Sequence, residues 1–235
     1  MWQILSTLLL VLALGLFLPG CSQVVALEDA DDVSQTSSKE TVYISNVVYD
    51  TVYRYHDLRW VSLDTTSIGN QTWIAQNIYF ETSACICYEN NPENCKEYGC
   101  LYAWEETSNQ CPSGWKLPSR EDFETLIEYV GGDSVANHAL KSTYGWSGGA
   151  GGWDEYRFGV IPAGYRDENG TYVGLSDRGG TKAYFWTSTQ KEDGQDSAYG
   201  VVFSTEKIDG KWVEYDVSVG LFDKNMAMSI RCIKE

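Results

Sequence analysis

By type and spacing, seven cysteines are the residues of this 235-residue chain best suited to chemistry. Cys85, Cys87, Cys95 and Cys100 share one short stretch. Cys111 opens a Cys-Pro-Ser-Gly break between two apolar-periodic segments, while Cys21 and Cys232 lie near the two ends. Such a set can hold a metal, pass electrons as a redox pair, or cross-link a fold. The C-x-C pair and the spacings around Cys95 and Cys100 match no zinc pattern well. The compartment decides between the other two uses, because thiols oxidise and stay oxidised only outside the cytosol.

The first residues speak to compartment. From Ile4 to Leu18 the chain is almost wholly apolar, and no charged residue appears before Glu28. The run of about 15 residues is shorter than the roughly 20 needed to cross a bilayer as a helix. It reads as the h-region of a signal peptide spanning residues 1–20. Its end, Leu18-Pro19-Gly20-Cys21, resembles a bacterial lipobox, in which Cys21 carries the lipid and becomes the mature N-terminus. The expectation is an outer-membrane lipoprotein of the cell envelope, touching the membrane through its anchor. Residues 21–40 form the lipidated cysteine and an acidic, Ser/Thr-bearing tether, and residues 41–235 the folded domain. With Cys21 lipidated, six cysteines remain, an even number that an oxidising envelope lets pair. Sequence alone allows fifteen connectivities.

The net charge of −16 excludes some partners. So acidic a chain is repelled by phosphate backbones, which argues against nucleic acid, and by anionic headgroups, which leaves the anchor as the membrane contact. Catalytic cues are sparse. The two histidines, His56 and His138, are isolated in sequence and read as solvated or satisfied side chains. Carboxylates such as Asp154, Glu155 and Asp167 are too plentiful for any pair to single itself out as a glycosidase pair. No catalytic residue is assigned, and the chain is read as a non-enzyme without a cofactor.

Aromatics are the richest feature, with nine Trp and sixteen Tyr. Flat rings stack on sugar faces, and a polar tip hydrogen-bonds hydroxyls. Trp73, Trp104, Trp115, Phe158, Phe185 and Trp186 lie in apolar stripes and read as core. Trp146, Trp153, Tyr156, Tyr165 and Tyr172 flank the Gly-rich "GWSGGAGGWDEY" (145–156) and the turn after "PAGYR". These five are the ligand-binding candidates, because loops carry function disproportionately often.

The elements that must position these groups are read from periodicity. "TVYISNVVYDTVYRY" (41–55) alternates as one or two strands, and "NQTWIAQNI" (70–78) reads as another. A helix is expected from about Tyr98 to Ser108. A second starts cleanly: Ser119 is the N-cap, Asp122 at N3 completes a capping-box pattern, and Phe123, Leu126, Ile127 and Val130 share one face until Gly131-Gly132 stops it. Short aromatic-rich strands then run to the C-terminus, giving an α+β class.

In order along the chain, "IGNQTWIAQNI", "CYENNPENCKEYGCLYAW", "CPSGWKLPSREDFETL", "LKSTYGW", "FGVIPAGYR", "YFWTST" and "SIRCIK" resemble the motifs of the Fibrobacter succinogenes major paralogous domain, from about Ile68 to Lys234. That family is similar to the C-type-lectin-like superfamily, which also contains the formylglycine-generating fold. "GWKLPSREDFETL" looks like that fold's second-helix motif. The resemblance implies two short helices, small antiparallel sheets and long irregular loops, stabilised by disulfides. It implies that Cys111 bonds Cys232, closing a loop of about 120 residues worth roughly 4–5 kcal/mol in the loop-entropy account. The family commonly has counterparts of Cys87 and Cys95, which implies a bond between them; Cys85 and Cys100 look like an additional pair bracketing it, since many members have no cysteine at the place of Cys100. None of the six matches the copper-binding cysteine motif of the formylglycine-generating enzymes.

Many C-type lectins bind sugar through calcium, using Glu-Pro-Asn or Gln-Pro-Asp and Trp-Asn-Asp segments; neither is present. In "RDENGTYVG" (166–174), Asp167 and Asn169 are weak candidates for a calcium loop, and a plain turn explains them as well. The functional expectation is a displayed binding domain for carbohydrate or surface adhesion, with an envelope protein as the alternative partner.

Overall fold

The computed structural model describes residues 40–44, 47–52, 61–176, 179–192 and 196–235. The expected signal peptide, Cys21, nearly all of the tether and His56 lie outside the described residues. In chain order the elements are β1 (Glu40–Ile44), β2 (Val47–Val52), β3 (Val61–Leu63), β4 (Thr65–Ile68), β5 (Gln71–Ile74), α1 (Pro92–Tyr98), β6 (Tyr102–Ala103), β7 (Trp115–Lys116), α2 (Arg120–Tyr129) and α3 (Asp133–Leu140). They continue with β8 (Tyr165–Arg166), β9 (Tyr172–Val173), β10 (Leu175–Ser176), β11 (Gly179–Gly180), β12 (Lys182–Gln190), β13 (Ser197–Ile208), β14 (Lys211–Glu214), β15 (Ser218–Asp223), β16 (Ala227–Met228) and β17 (Ile233–Lys234). Few helices and several small antiparallel sheets make a mixed fold.

Two sheets organise the molecule around its last strands. One has the order β4-β5-β17-β7, with Ile233 opposite both Trp73 and Lys116, so the terminal strand is central rather than an edge. The other is built on the long β13, which pairs with β12 on one side and with β14 and β15 on the other. Successive residues of β12 face opposite ways, as the strand period of two requires. Phe185 enters a core with Phe123, Leu126, Phe158 and Phe203. Trp186 enters a second core with Tyr102, Trp115, Met228 and Cys232. Of the aromatics expected inside, Trp73, Trp115, Phe158, Phe185 and Trp186 are buried. Trp104 is half-buried and donates from Nε1 to the Thr187 carbonyl at 2.8 Å.

Among the described residues there are three disulfides: Cys85–Cys100, Cys87–Cys95 and Cys111–Cys232, the last spanning 121 residues. Cys111–Cys232 and Cys87–Cys95 are the pairs that the family resemblance implies, and Cys85–Cys100 is the expected additional pair. Sulfurs of the first two bonds are neighbours, with Cys85 Sγ 3.4 Å from Cys95 Sγ.

Helix α2 starts as its residues dictate. Ser119 Oγ accepts the Asp122 amide at 3.1 Å, and the Asp122 carboxylate accepts the Ser119 amide at 2.8 Å, a reciprocal capping box. The expected helix over 98–108 is not formed. A seven-residue helix, α1, precedes that stretch, capped by the Asn91 side chain and ended by Gly99 at φ 81°. Leu101 then bridges to Ile86, β6 pairs with β16, and Trp104–Asn109 makes 3₁₀ turns. The apolar residues at 101, 102 and 104 serve this extended pairing, not a helical face. Helix α3 is an addition to the sequence-based expectation. The Gly131-Gly132 stop, at φ 113° and 91°, ends α2 and at once restarts the chain as α3.

Candidate functional site

Helix α3 ends without its own partners for the last carbonyls, as every helix does. The Gly-rich loop and the segment just after it supply them. Amides of Trp153, Glu155 and Val160 donate to the carbonyls of His138 (2.7 Å), Ala139 (3.0 Å) and Leu140 (2.9 Å), and the Gly152 amide donates to Ser142 (2.9 Å). This close docking requires glycine: a Cβ on Gly152 would lie 2.3 Å from the His138 carbonyl oxygen. Gly148 has a parallel role, since a Cβ there would lie 1.8 Å from Nε1 of Trp212. The indole of Trp212 therefore rests on a bare α-carbon.

Trp212 arrives on β14, which returns from β13 through Asp209-Gly210, both at positive φ (49° and 81°), as a two-residue hairpin loop demands. Strand alternation then sends Trp212 and Glu214 one way, toward the loop and α3, and leaves Val213 and Tyr215 exposed.

Glu214 is the hub of the resulting cluster. Its Oε2 accepts from Asn137 Nδ2 at 3.1 Å, lies 3.1 Å from His138 Nδ1 and 3.9 Å from Lys141 Nζ. Lys141 is fully buried, its ammonium 4.1 Å from the centre of the Trp146 ring. Burial pushes its pKa down to about 8, against the opposing pull of Glu214. Above, the His138 imidazole stacks on the Trp153 indole with centroids 5.2 Å apart and planes at 21°. Trp153 remains 64% exposed and Tyr144 71% exposed. The arrangement offers a flat indole at the surface, clamped from behind by an imidazole, with a part-exposed carboxylate beside it.

The five aromatics singled out by sequence fall into four sets of neighbours. Trp146 and Trp153 belong to this cluster, Trp146 as a buried floor whose Nε1 donates to Val160 at 3.0 Å. Tyr156 packs edge-on to Tyr129, with centroids 6.3 Å apart, and its carbonyl accepts from Thr66. Tyr165 lies against Tyr184 at 4.3 Å, and Tyr172 against Tyr88 at 5.0 Å, with its hydroxyl on Asn90. Asp167 and Asn169 sit in the β8–β9 turn. There the Asp167 Oδ1 accepts the amides of Asn169 (3.0 Å) and Thr171 (2.7 Å), so the carboxylate serves the turn itself. Among the described residues, the cluster of three close metal-type ligand atoms is Cys85, Cys95 and Cys100, all engaged in disulfides.

His138, Lys141, Trp212 and Glu214 are members of the cluster that sequence reasoning misses. His138 looks isolated along the chain because its partner lies 76 positions away on another element. A second group of this kind is Arg231, wholly buried, whose guanidinium donates to Asn77 Oδ1 (3.1 Å), to the Gly159 carbonyl (2.7 Å) and to that of Phe158. Burial pushes its pKa down to about 9 while Asp154 pulls the other way. Its bonds join the last strands to the segment that docks on α3.

The model of the Fibrobacter succinogenes major domain matches residues 65–234. The chain belongs to that family. The matched segment holds every residue of the α3–loop–β14 cluster and all six disulfide cysteines, whereas the β1–β3 sheet precedes it. No curated protein and no solved structure matches this member of the Fibrobacter succinogenes major domain family.

Proposed function

We propose that this family member is a lipid-anchored protein of the outer membrane whose domain, C-type-lectin-like in fold, binds carbohydrate at the α3–loop–β14 face. The supporting observation is Trp153, a large indole left 64% exposed yet held flat by the stacked His138 ring. A preoriented aromatic face loses little rotamer freedom when a pyranose ring settles on it. Glu214 stands near as an acceptor for sugar hydroxyls, and the net charge of −16 suits a neutral polysaccharide better than an acidic one. The reading assigns no catalytic residue and no cofactor; calcium is tested rather than assumed. A polysaccharide and glycan array, run with calcium and with chelator, tests it. Binding that disappears in Trp153→Ala is the expected result, and a blank array with a folded, fully disulfide-bonded protein would sink it.

A second reading has its own support. Ile208, Val213 and Tyr215 expose apolar surface on the β13–β14 hairpin, where an envelope protein would dock. Cross-linking in intact envelopes through a photoreactive residue at Val213 would then capture a defined partner, and no cross-link would remove this reading.

A further inference from the structure

Asn137 lies in the last turn of α3, and Lys141 is the C-cap four positions on, where the backbone has become extended (φ −69°, ψ 142°). Both are buried, at 1% and 0% exposure. Two of their polar atoms, Asn137 Oδ1 and Lys141 Nζ, have no hydrogen-bond partner. Yet both side chains reach one atom: Glu214 Oε2 accepts from the Asn137 carboxamide nitrogen at 3.1 Å and lies 3.9 Å from the Lys141 amine. A carboxylate hydrogen-bonded to a buried amide nitrogen, with a buried amine 3.9 Å from the same oxygen, can move a proton from the second to the first once the amine closes to hydrogen-bond distance.

We propose that Lys141 and Asn137 become joined by an intramolecular amide that the fold itself forms. The neutral Lys141 amine attacks Asn137 Cγ, and Glu214 takes the proton that the amine sheds. Glu214 then returns a proton to the departing carboxamide nitrogen. The Nζ–Cγ bond forms, the Cγ–Nδ2 bond breaks, and one ammonia leaves, with no oxidant or co-reactant. Burial favours the neutral amine and keeps water away from the reacting carbonyl, and both groups lie near one carboxylate oxygen. The product also removes a charge from a site that gives it no hydrogen bond. The bond would fix the floor beneath Trp146 and the end of α3, independently of what the face binds.

Tryptic mapping of the purified full-length chain tests this, because trypsin cuts after a lysine only when its amine is free. The expected result is an uncut peptide covering residues 121–157, lighter than its sequence mass by one ammonia, with fragment ions placing the link between Asn137 and Lys141. Release of 121–141 and 142–157 at full mass would overturn the proposal. So would loss of ammonia with cleavage after Lys141 retained, which marks a succinimide at Asn137. A link from Lys141 to the peptide bearing Glu214, with loss of one water, would overturn the choice of Asn137. Glu214→Gln is expected to restore cleavage after Lys141 in protein whose near-ultraviolet circular dichroism stays native; an amide still formed there removes Glu214 from the reaction. Should that variant not fold, the wild-type map decides alone.

Discussion

The cysteine-bound end of the molecule and the α3–loop–β14 face solve one problem in different ways. At the first, Cys85–Cys100, Cys87–Cys95 and Cys111–Cys232 lock irregular backbone covalently, and β17 lies between β5 and β7. At the second, the glycine-rich loop and the segment after it are held by four backbone bonds to the end of α3 and the residues that follow it, by an indole lying on Gly148, and by Glu214 gathering three nitrogens. The difference separates tolerance from precision. A covalent lock leaves the loop it closes free to vary in sequence. A face held by close approach needs particular residues, and its aromatic surface stays turned to solvent.

That contrast predicts unequal costs. Replacing Cys111 and Cys232 together by serine should cost about 5 kcal/mol in denaturant unfolding, since the bond closes by far the longest loop; the same change at Cys87 and Cys95 should cost about half as much. Equal losses would break the assignment of Cys111–Cys232 as the principal lock. Arg231→Met should cost about 4 kcal/mol, because it strands three buried acceptors beneath the loop. Gly152→Ala should cost about 2 kcal/mol by pushing the loop off α3. It should also weaken ligand binding, whereas the Cys87/Cys95 change should leave binding intact.

A further effect is one of pH. In Asn137→Ala the Lys141 amine stays free, with a folded pKa near the value of about 8 that burial imposes and an unfolded one at the ordinary 10.5. Between these values the unfolded chain holds more protons, so stability should rise with pH across that window. Arg231, pushed down to about 9 by burial, adds a rise above that pH in both proteins, so the rise that wild type carrying the amide should lack stands alone between about 8 and 9, where stability curves in matched buffers read it.

The same contrast explains which features are legible in the sequence. Disulfide pairs, the α2 cap and the short aromatic strands are local or motif-borne: Ser119 and Asp122 are three positions apart, and "CYENNPENC" encloses its own bond. The 98–108 segment misleads because its apolar residues serve cross-strand pairing with Ile86 and β16, a tertiary fact that helical spacing imitates. Helix α3 is hidden by Gly131-Gly132, a pair that signals the stop of one helix but not the start of another. At the candidate site, Trp146 and Trp153 are legible because they bracket the glycine-rich loop. His138, Lys141 and Glu214 are not, since Asn137 and Glu214 lie 77 positions apart and only the β13–β14 hairpin brings them together. The alternation of Trp212 and Glu214 on β14 is the one local signal that points there.

The most direct measurement compares two aromatic sets on one ligand. With the best polysaccharide from the array, isothermal titration would be run on wild type, Trp153→Ala and Tyr165→Ala. The account predicts at least about a tenfold loss for Trp153→Ala, equivalent to roughly 1.4 kcal/mol, and unchanged affinity for Tyr165→Ala, whose ring packs on Tyr184. Unchanged binding by Trp153→Ala, or a loss confined to Tyr165→Ala, would contradict the assignment of the α3–loop–β14 face as the binding surface.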